Sequence, residues 1–333
     1  MNKYYSGYIS TDWYEMPANS TLKGKYFSIF FDVTRYGKNK EFGEVRSFKG
    51  EEAIIEGKEA IIEAANFENA EKASELIHAA LTLMLGEPPS LDRPGIFPLL
   101  KEESEILQVK EGLRIRSMYL SDVSLACQIA CKASYRRAYS YALLKYRLGA
   151  SLFPVSLIDV DPYHSEYYPL SSFPPDLVQM TYAIIAFYSV IEELGLEIRA
   201  SEETPSLING QWNPPVRSDL EKRLRKSRIN PEESFSWNLR STPTRIEKHL
   251  RREKRLKEVQ KSLWSRGRVR DTEINIEDAI LIVSYLRSKV SSHKFSNLVQ
   301  SLSIYDISNA NCLARRLLLG KLGFWEQLAN RKF

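Results

Sequence analysis

Apolar positions recur every three or four residues along several stretches of this chain, a spacing that predicts amphipathic helices. Over 69–85 the stripe is Ala73, Leu76, Ile77, Ala80, Leu81 and Met84, closed by Gly86 and Pro88-Pro89. Over 176–194 it is Leu177, Met180, Ile184, Phe187, Ile191 and Leu194. Val178, Ala183, Ile185 and Val190 widen that stripe, which predicts a helix at the centre of a bundle. Over 276–290 the stripe is Ile276, Ala279, Ile280, Val283, Leu286 and Val290. Asn275 is its expected N-cap, with Glu277 and Asp278 in the first turn. A last helix is predicted over 306–319, with Ile307, Ala310, Ala314, Leu317 and Leu318 inward and Gly320 and Gly323 at its end. The span 122–148 reads as one long helix carrying Tyr135, Tyr139, Tyr141 and Tyr146 among Lys132, Arg136, Arg137, Lys145 and Arg147. Such a helix either holds a single nucleic-acid strand by charge and stacking or keeps its tyrosines at a core edge.

The pattern differs before residue 117. The β-branched and aromatic run 25–34 predicts a strand, 35–40 a turn, and 52–56 and 59–63 two short strands about Gly57. The fold class is therefore α+β: a mixed α/β unit over 1–117, then a mainly helical domain over 118–333. The first unit carries no catalytic motif and no residue in it assigns a role; a regulatory partner or ligand is one candidate. Residues 199–273 interrupt the helical pattern with Pro205, Asn213-Pro214-Pro215, Asn230-Pro231 and Thr242-Pro243. Within this stretch 217–227 predicts a short helix and 244–265 a longer charged one. It reads as an insertion between two core helices.

Composition adds limits. With 333 residues, 43% of them hydrophobic, the chain can bury about two ordinary cores. Its longest apolar runs, about ten residues, are too short to span a membrane. The N-terminus lacks the apolar core of a signal peptide. Cys127 and Cys131 lie four apart and Cys312 sits on an apolar helix, with no partners at metal-binding spacing. They read as core thiols in a reducing cytoplasm. Asp159, Asp161, His164 and Glu166 match no closed metal site and read as part of a connector. No metal or cofactor is expected. No phosphate-binding glycine loop, nucleophile elbow or zinc-protease motif is present.

The net charge of +5 is unevenly spread. Residues 217–270 hold 18 lysines and arginines against 7 acidic residues, an excess of +11 that leaves the rest of the chain near −6. Such a block points either to an anionic partner, RNA first, or to a solvated arm. Its candidate contact residues are Arg245, Arg251, Arg252, Lys254 and Arg255, with Lys294 beyond the insertion.

The chemistry-bearing pattern lies near residue 290. Arg287 and Ser288 are followed by His293, an R-x5-H spacing. Arginine offers a planar fork to a phosphate, and histidine exchanges protons near neutral pH. Glu192 and Glu193 close the helix over 176–194, where the helix dipole disfavours carboxylates, so a cationic neighbour is expected. Paired glutamates at one helix end, Arg287-Ser288 at the next, His293, then an apolar helix: this order resembles the HEPN-domain ribonucleases over residues 176–325, with 199–273 outside the resemblance. The resemblance implies a helical bundle that dimerises and cuts RNA without metal, in phage defence or as a toxin. It makes His293 the general base or acid, Arg287 the group that neutralises phosphate charge, and Ser288 an orienting hydroxyl. Glu192 or Glu193 is a further candidate for proton transfer. A homodimer pairing two His293 side chains would supply both a base and an acid. Residues six apart on a straight helix are rotated about 120° and rise about 9 Å, so Arg287 and His293 converge only if the helix ends or bends between them. The alternatives are a non-catalytic nucleic-acid-binding or adaptor protein, and a regulatory protein that uses the bundle only to dimerise.

Overall fold

The computed structural model describes residues 1–10, 21–36, 55–89, 93, 96–98, 118–120, 122–152, 174–240, 243–261, 269–290 and 302–329. The protein is α+β. Its contacts divide it into two compact units, Met1–Ser140 and Tyr141–Phe333. The division falls beyond the 117/118 boundary expected from the pattern, because the helix Val123–Ser134 packs on the helix and sheet of the first unit.

The first unit is one sheet of β1 (Asn2–Ser10), β2 (Thr21–Lys23), β3 (Phe27–Tyr36), β4 (Ile55–Ala64), β5 (Phe97–Pro98) and β6 (Met118–Leu120), joined by α1 (Phe67–Leu85) and α2 (Val123–Ser134). Strand order is β2-β3-β4-β1-β5, with β6 also along β1. Only the β1–β6 pairing is parallel among the described strands. Period-2 alternation buries Phe27, Ile29 and Phe31 with Ala60, Ile62 and Ala64, while Phe30 packs with Tyr5 and Ile61. The strand expected over 59–63 runs back through Gly57 to Ile55, since Gly57 pairs with Thr34 inside the β3–β4 ladder, while 52–54 lie outside the described residues. Asn66 caps α1 through its side chain, and Gly86 closes it at φ 84°.

The span expected as one long helix breaks at Tyr135-Arg136 into α2 and α3 (Arg137–Ser151). The Ser134 hydroxyl donates to the Cys131 carbonyl and that of Ser140 to the Ala133 carbonyl. Those acceptors would otherwise continue the helix ladder. Cys127 and Cys131 are buried, as expected of core thiols, but Cys312 is exposed.

The second unit holds α4 (Pro174–Glu193), α5 (Pro214–Lys226), α6 (Arg245–Arg252), α7 (Ile276–Val290), α8 (Ile304–Leu322) and α9 (Trp325–Ala329). Helix α4 packs against both α7 and α8, the central position its broad apolar surface predicts. The stripes of α7 and α8 are buried within this chain. Cover for them is therefore no reason to seek a partner subunit. Exposed large apolar side chains of this unit lie instead on α3 (Tyr141, Leu144, Leu148) and α4 (Val178, Tyr182) and at Ile208 and Val259.

The described residues of 199–273 are an integral part of this unit, not an arm. A hairpin of β7 (Leu207–Ile208) and β8 (Gln211–Trp212) precedes α5, and β9 (Ser234–Arg240), β10 (Lys257–Lys261) and β11 (Val269–Asn275) form a sheet ordered β10-β11-β9. The helix expected over 244–265 stops at Arg252, and the chain re-emerges as β10. Lys- and Glu-rich sequence has a helical preference of only tenths of a kcal/mol per residue, about what antiparallel pairing with β11 overrides. Trp237 is buried, and Asn238 exchanges two hydrogen bonds with Asn309 of α8.

Helix α8 runs through Gly320, which the pattern placed at its end, and closes at Gly323 with φ 75°. Gly320 is needed for close approach. A Cβ there would lie 2.6 Å from Arg316 Nη1 and 3.1 Å from Ile229 Cγ1. Arg316 is buried, paired with Glu233 and stacked over Trp325, so it has little room to yield. Gly320→Ala should lower stability by about 1–3 kcal/mol, as overpacking does. The check is a lower urea midpoint at unchanged slope.

Candidate active site

Helix periodicity explains why one site forms between α4 and α7. Tyr188 and Glu192 are four apart on α4, and Ser284 and Arg287 three apart on α7, so each pair shares a face. Where the helices meet, Arg287 Nη2 lies 3.4 Å from Glu192 Oε1 and its guanidinium 5.6 Å from the centre of the Tyr188 ring. The Tyr188 hydroxyl donates to Ser284 Oγ at 3.2 Å. Burial raises the Tyr188 phenol above its ordinary value, against the pull of Ser284 and Arg287. It is therefore a neutral hydroxyl at pH 7.

Both glutamates at the end of α4 find the cations their position demands. Glu193 accepts from Lys145 Nζ at 2.7 Å, so the two carboxylates have separate partners and only Glu192 joins Arg287. The Arg287 and Glu192 side chains are 42% and 37% exposed. A pair this open is worth at most about 1 kcal/mol, and an incoming phosphate can compete for the guanidinium. Tyr188 was not singled out by the sequence; its place one turn before Glu192 was the available signal. The Ser288 hydroxyl donates to the Tyr285 carbonyl at 2.8 Å. Helix α7 extends to Val290. His293 and Lys294, and the 159–166 acidic segment, lie outside the described residues.

The opposite end of α7, about 15 Å away along its axis, carries a different arrangement. Glu277 and Asp278 are both fully buried. Arg217 Nη2 and Arg255 Nη2 each approach Glu277 Oε1 at 2.6 Å, Arg255 Nε donates to Asp278 Oδ2 at 2.7 Å, and Trp212 Nε1 donates to Asp278 Oδ1 at 2.7 Å. Arg255, expected to contact nucleic acid, is thereby committed to the interior. The other basic candidates on this stretch, Arg245, Arg251, Arg252 and Lys254, are exposed. Two further cations of the block are also paired: Arg223 with Asp219 and the Gly195 and Glu197 carbonyls, and Arg270 with Glu258.

Two basic residues adopt a costly backbone. Arg228, after α5, has φ 60°, and Lys254, after α6, has φ 58°. A left-handed residue with a side chain costs roughly 1–2 kcal/mol. A cation at a helix C-terminus returns only about 0.3–1 kcal/mol. Stability alone would favour glycine at both positions.

Among the described residues no group of three or more His, Cys, Asp or Glu side chains could hold a metal ion, and no helix is long and apolar enough to cross a membrane. No family model, curated protein or solved structure matches the chain.

Proposed function

We propose that this protein is a HEPN-type endoribonuclease that cuts RNA without a metal. The observation that carries the reading is the meeting of Arg287 and Glu192, two residues on separate helices, at one solvent-open point beside Tyr188. In the proposed reaction His293 takes the proton of an RNA 2′-hydroxyl. The 2′-oxygen attacks the adjacent phosphorus, and the P–O5′ bond breaks as the 5′-oxygen receives a proton. The products are a 2′,3′-cyclic phosphate and a 5′-hydroxyl. Arg287 neutralises the charge growing on the non-bridging oxygens. Glu192 holds the guanidinium fork until the phosphate displaces it.

The second proton-transfer role falls to His293 of a second copy. On α4 the outward positions Val178, Tyr182 and Ile185 lead along one helical face towards Glu192, with Val178 and Tyr182 exposed. A second chain seated on that stripe would border the site.

Purified protein should cleave RNA in excess EDTA, leaving ends that a ligase specific for 2′,3′-cyclic phosphates accepts. Cleavage that requires added magnesium, or leaves 3′-hydroxyl ends, contradicts the reading. The second reading, nucleic-acid binding without catalysis, rests on the exposed Arg245, Arg251, Arg252 and Lys254. It calls for RNA affinity with no cut products.

A further inference from the structure

Helices α5 and α6 end alike. Residues 221–228 read Glu-Lys-Arg-Leu-Arg-Lys-Ser-Arg, and 247–254 read Glu-Lys-His-Leu-Arg-Arg-Glu-Lys. In this register Glu, Lys, Leu and Arg coincide, and the cation of the last turn and the one beyond the cap match in charge. Backbone geometry coincides too. Leu224 and Leu250 are both buried. The Ile229 amide donates to the Leu224 carbonyl at 3.0 Å, and the Arg255 amide to Leu250 at 2.9 Å. Inside each closure the Arg228 amide reaches Arg225, and the Lys254 amide reaches Arg251. Each helix packs on α7 and precedes one outer strand of the same sheet, with β9 and β10 flanking β11. Arg217 of α5 and Arg255 after α6 converge on one oxygen, Glu277 Oε1. Helices α5 and α6 are thus held to a common buried anchor.

Each helix turns the same kind of corner outward. Lys222, Arg225, Lys226 and Arg228 are exposed on one, and Lys248, Arg251, Arg252 and Lys254 on the other. Of the acidic groups on and beside these helices, Asp219 and Glu221 are taken by Arg223 and Arg217, and Glu247 is buried. Glu232, 3.8 Å from Arg225, and Glu253, the exposed cap of α6, are open. Helix-dipole compensation accounts for the cations of the last turns. It does not account for a cation at the left-handed position in both copies, where glycine would be unstrained.

We infer that the two corners are a matched pair of phosphate-binding points that engage the backbone of one RNA strand. The inference rests on RNA being the ligand proposed above, but not on its being cut. Repetition of one charged corner on one framework suits a ligand whose own charge repeats, and backbone contacts of this kind hold RNA without reading its sequence.

The test uses the full chain carrying His293→Ala, so that RNA survives, with fluorescently labelled single-stranded RNA of about 20 nucleotides and affinity read by anisotropy across salt concentrations. Neutralising one corner (Arg225→Gln with Lys226→Gln) should weaken binding about tenfold at moderate salt. It should also flatten the log–log salt dependence by about 1.4, at roughly 0.7 per phosphate contact. Arg251→Gln with Arg252→Gln should do the same, and the four together should lose both increments. Arg228→Gly and Lys254→Gly should each weaken RNA binding while raising the melting temperature by about 2–4 °C, because relief of backbone strain stabilises the fold. Unchanged affinity and slope in either corner's variant overturn the inference, as does full RNA affinity in the glycine variants. If the His293-bearing chain does not cut RNA yet these binding losses appear, the catalytic proposal fails and the paired corners stand. If that chain cuts RNA and the corner variants bind normally, only the corners fail.

Discussion

Arg287→Ala should lower single-turnover RNA cleavage by about 10²–10³-fold at saturating RNA, the usual loss when one donor to a developing oxyanion is removed. Its effect on stability should be small. Arg287 is 42% exposed, and its contact with Glu192 is a surface ion pair worth at most about 1 kcal/mol. This separation of effects is the useful part of the experiment, because a structural arginine would move the urea midpoint and activity together. Arg287→Lys should recover little. A lysine keeps the charge but loses the planar fork that meets two phosphate oxygens at once. Glu192→Gln should cost far less than Arg287→Ala, since Glu192 positions the guanidinium and does not itself meet the phosphate. Equal losses at Glu192 and Arg287 would make Glu192 a proton-transfer group of the reaction.

The largest expected loss of stability lies at the other end of α7. Arg255→Ala should destabilise the second unit by about 3–5 kcal/mol, because it strips the partner from Asp278 Oδ2 and one of two guanidiniums from Glu277. Both carboxylates are fully buried and cannot turn to water. Replacing Asp278 with Asn in an Arg255→Met background should recover part of the loss, since removing both charges is cheaper than stranding one. Urea unfolding of the single and double variants checks this. Burial pushes the Glu277 carboxyl above its ordinary value, with Arg217 and Arg255 pulling the other way. A raised folded value means that proton uptake favours the folded chain. Glu277 should therefore add no acid lability; its contribution is full below its unfolded value and falls as pH rises through the folded one.

The helices of the second unit were legible because their apolar stripes are long and regular. Leu177 to Leu194 and Ile276 to Val290 each fill one face for several turns, and tertiary packing then confirms what the period states. The α+β class was legible for the same reason. The charged insertion was not. Among the described residues of 244–259 the buried apolar anchors are Leu250 and Leu256, six apart, so no stripe marks the end of α6. The strand that follows is set by its partner β11, which lies outside the window. The pairing of Arg255 with buried carboxylates was equally hidden: its neighbours Arg251, Arg252 and Lys254 are chemically alike, and only the Schellman-type turn at Lys254 aims Arg255 inward. The repeat of 221–228 in 247–254 was readable from the letters alone, yet its meaning depends on backbone angles that the letters do not state. At the candidate site, the misfit of two glutamates with the end of α4 correctly called for cations. It could not say that Lys145 takes one and Arg287 the other.

The most direct measurement compares wild type with His293→Ala on a defined RNA in EDTA, under single-turnover conditions and with both chains shown to be folded by circular dichroism. Removal of the proton-transfer group should slow cleavage by about 10²–10⁴-fold while RNA binding is retained. Cleavage by folded His293→Ala at the wild-type rate would contradict the proposed site outright.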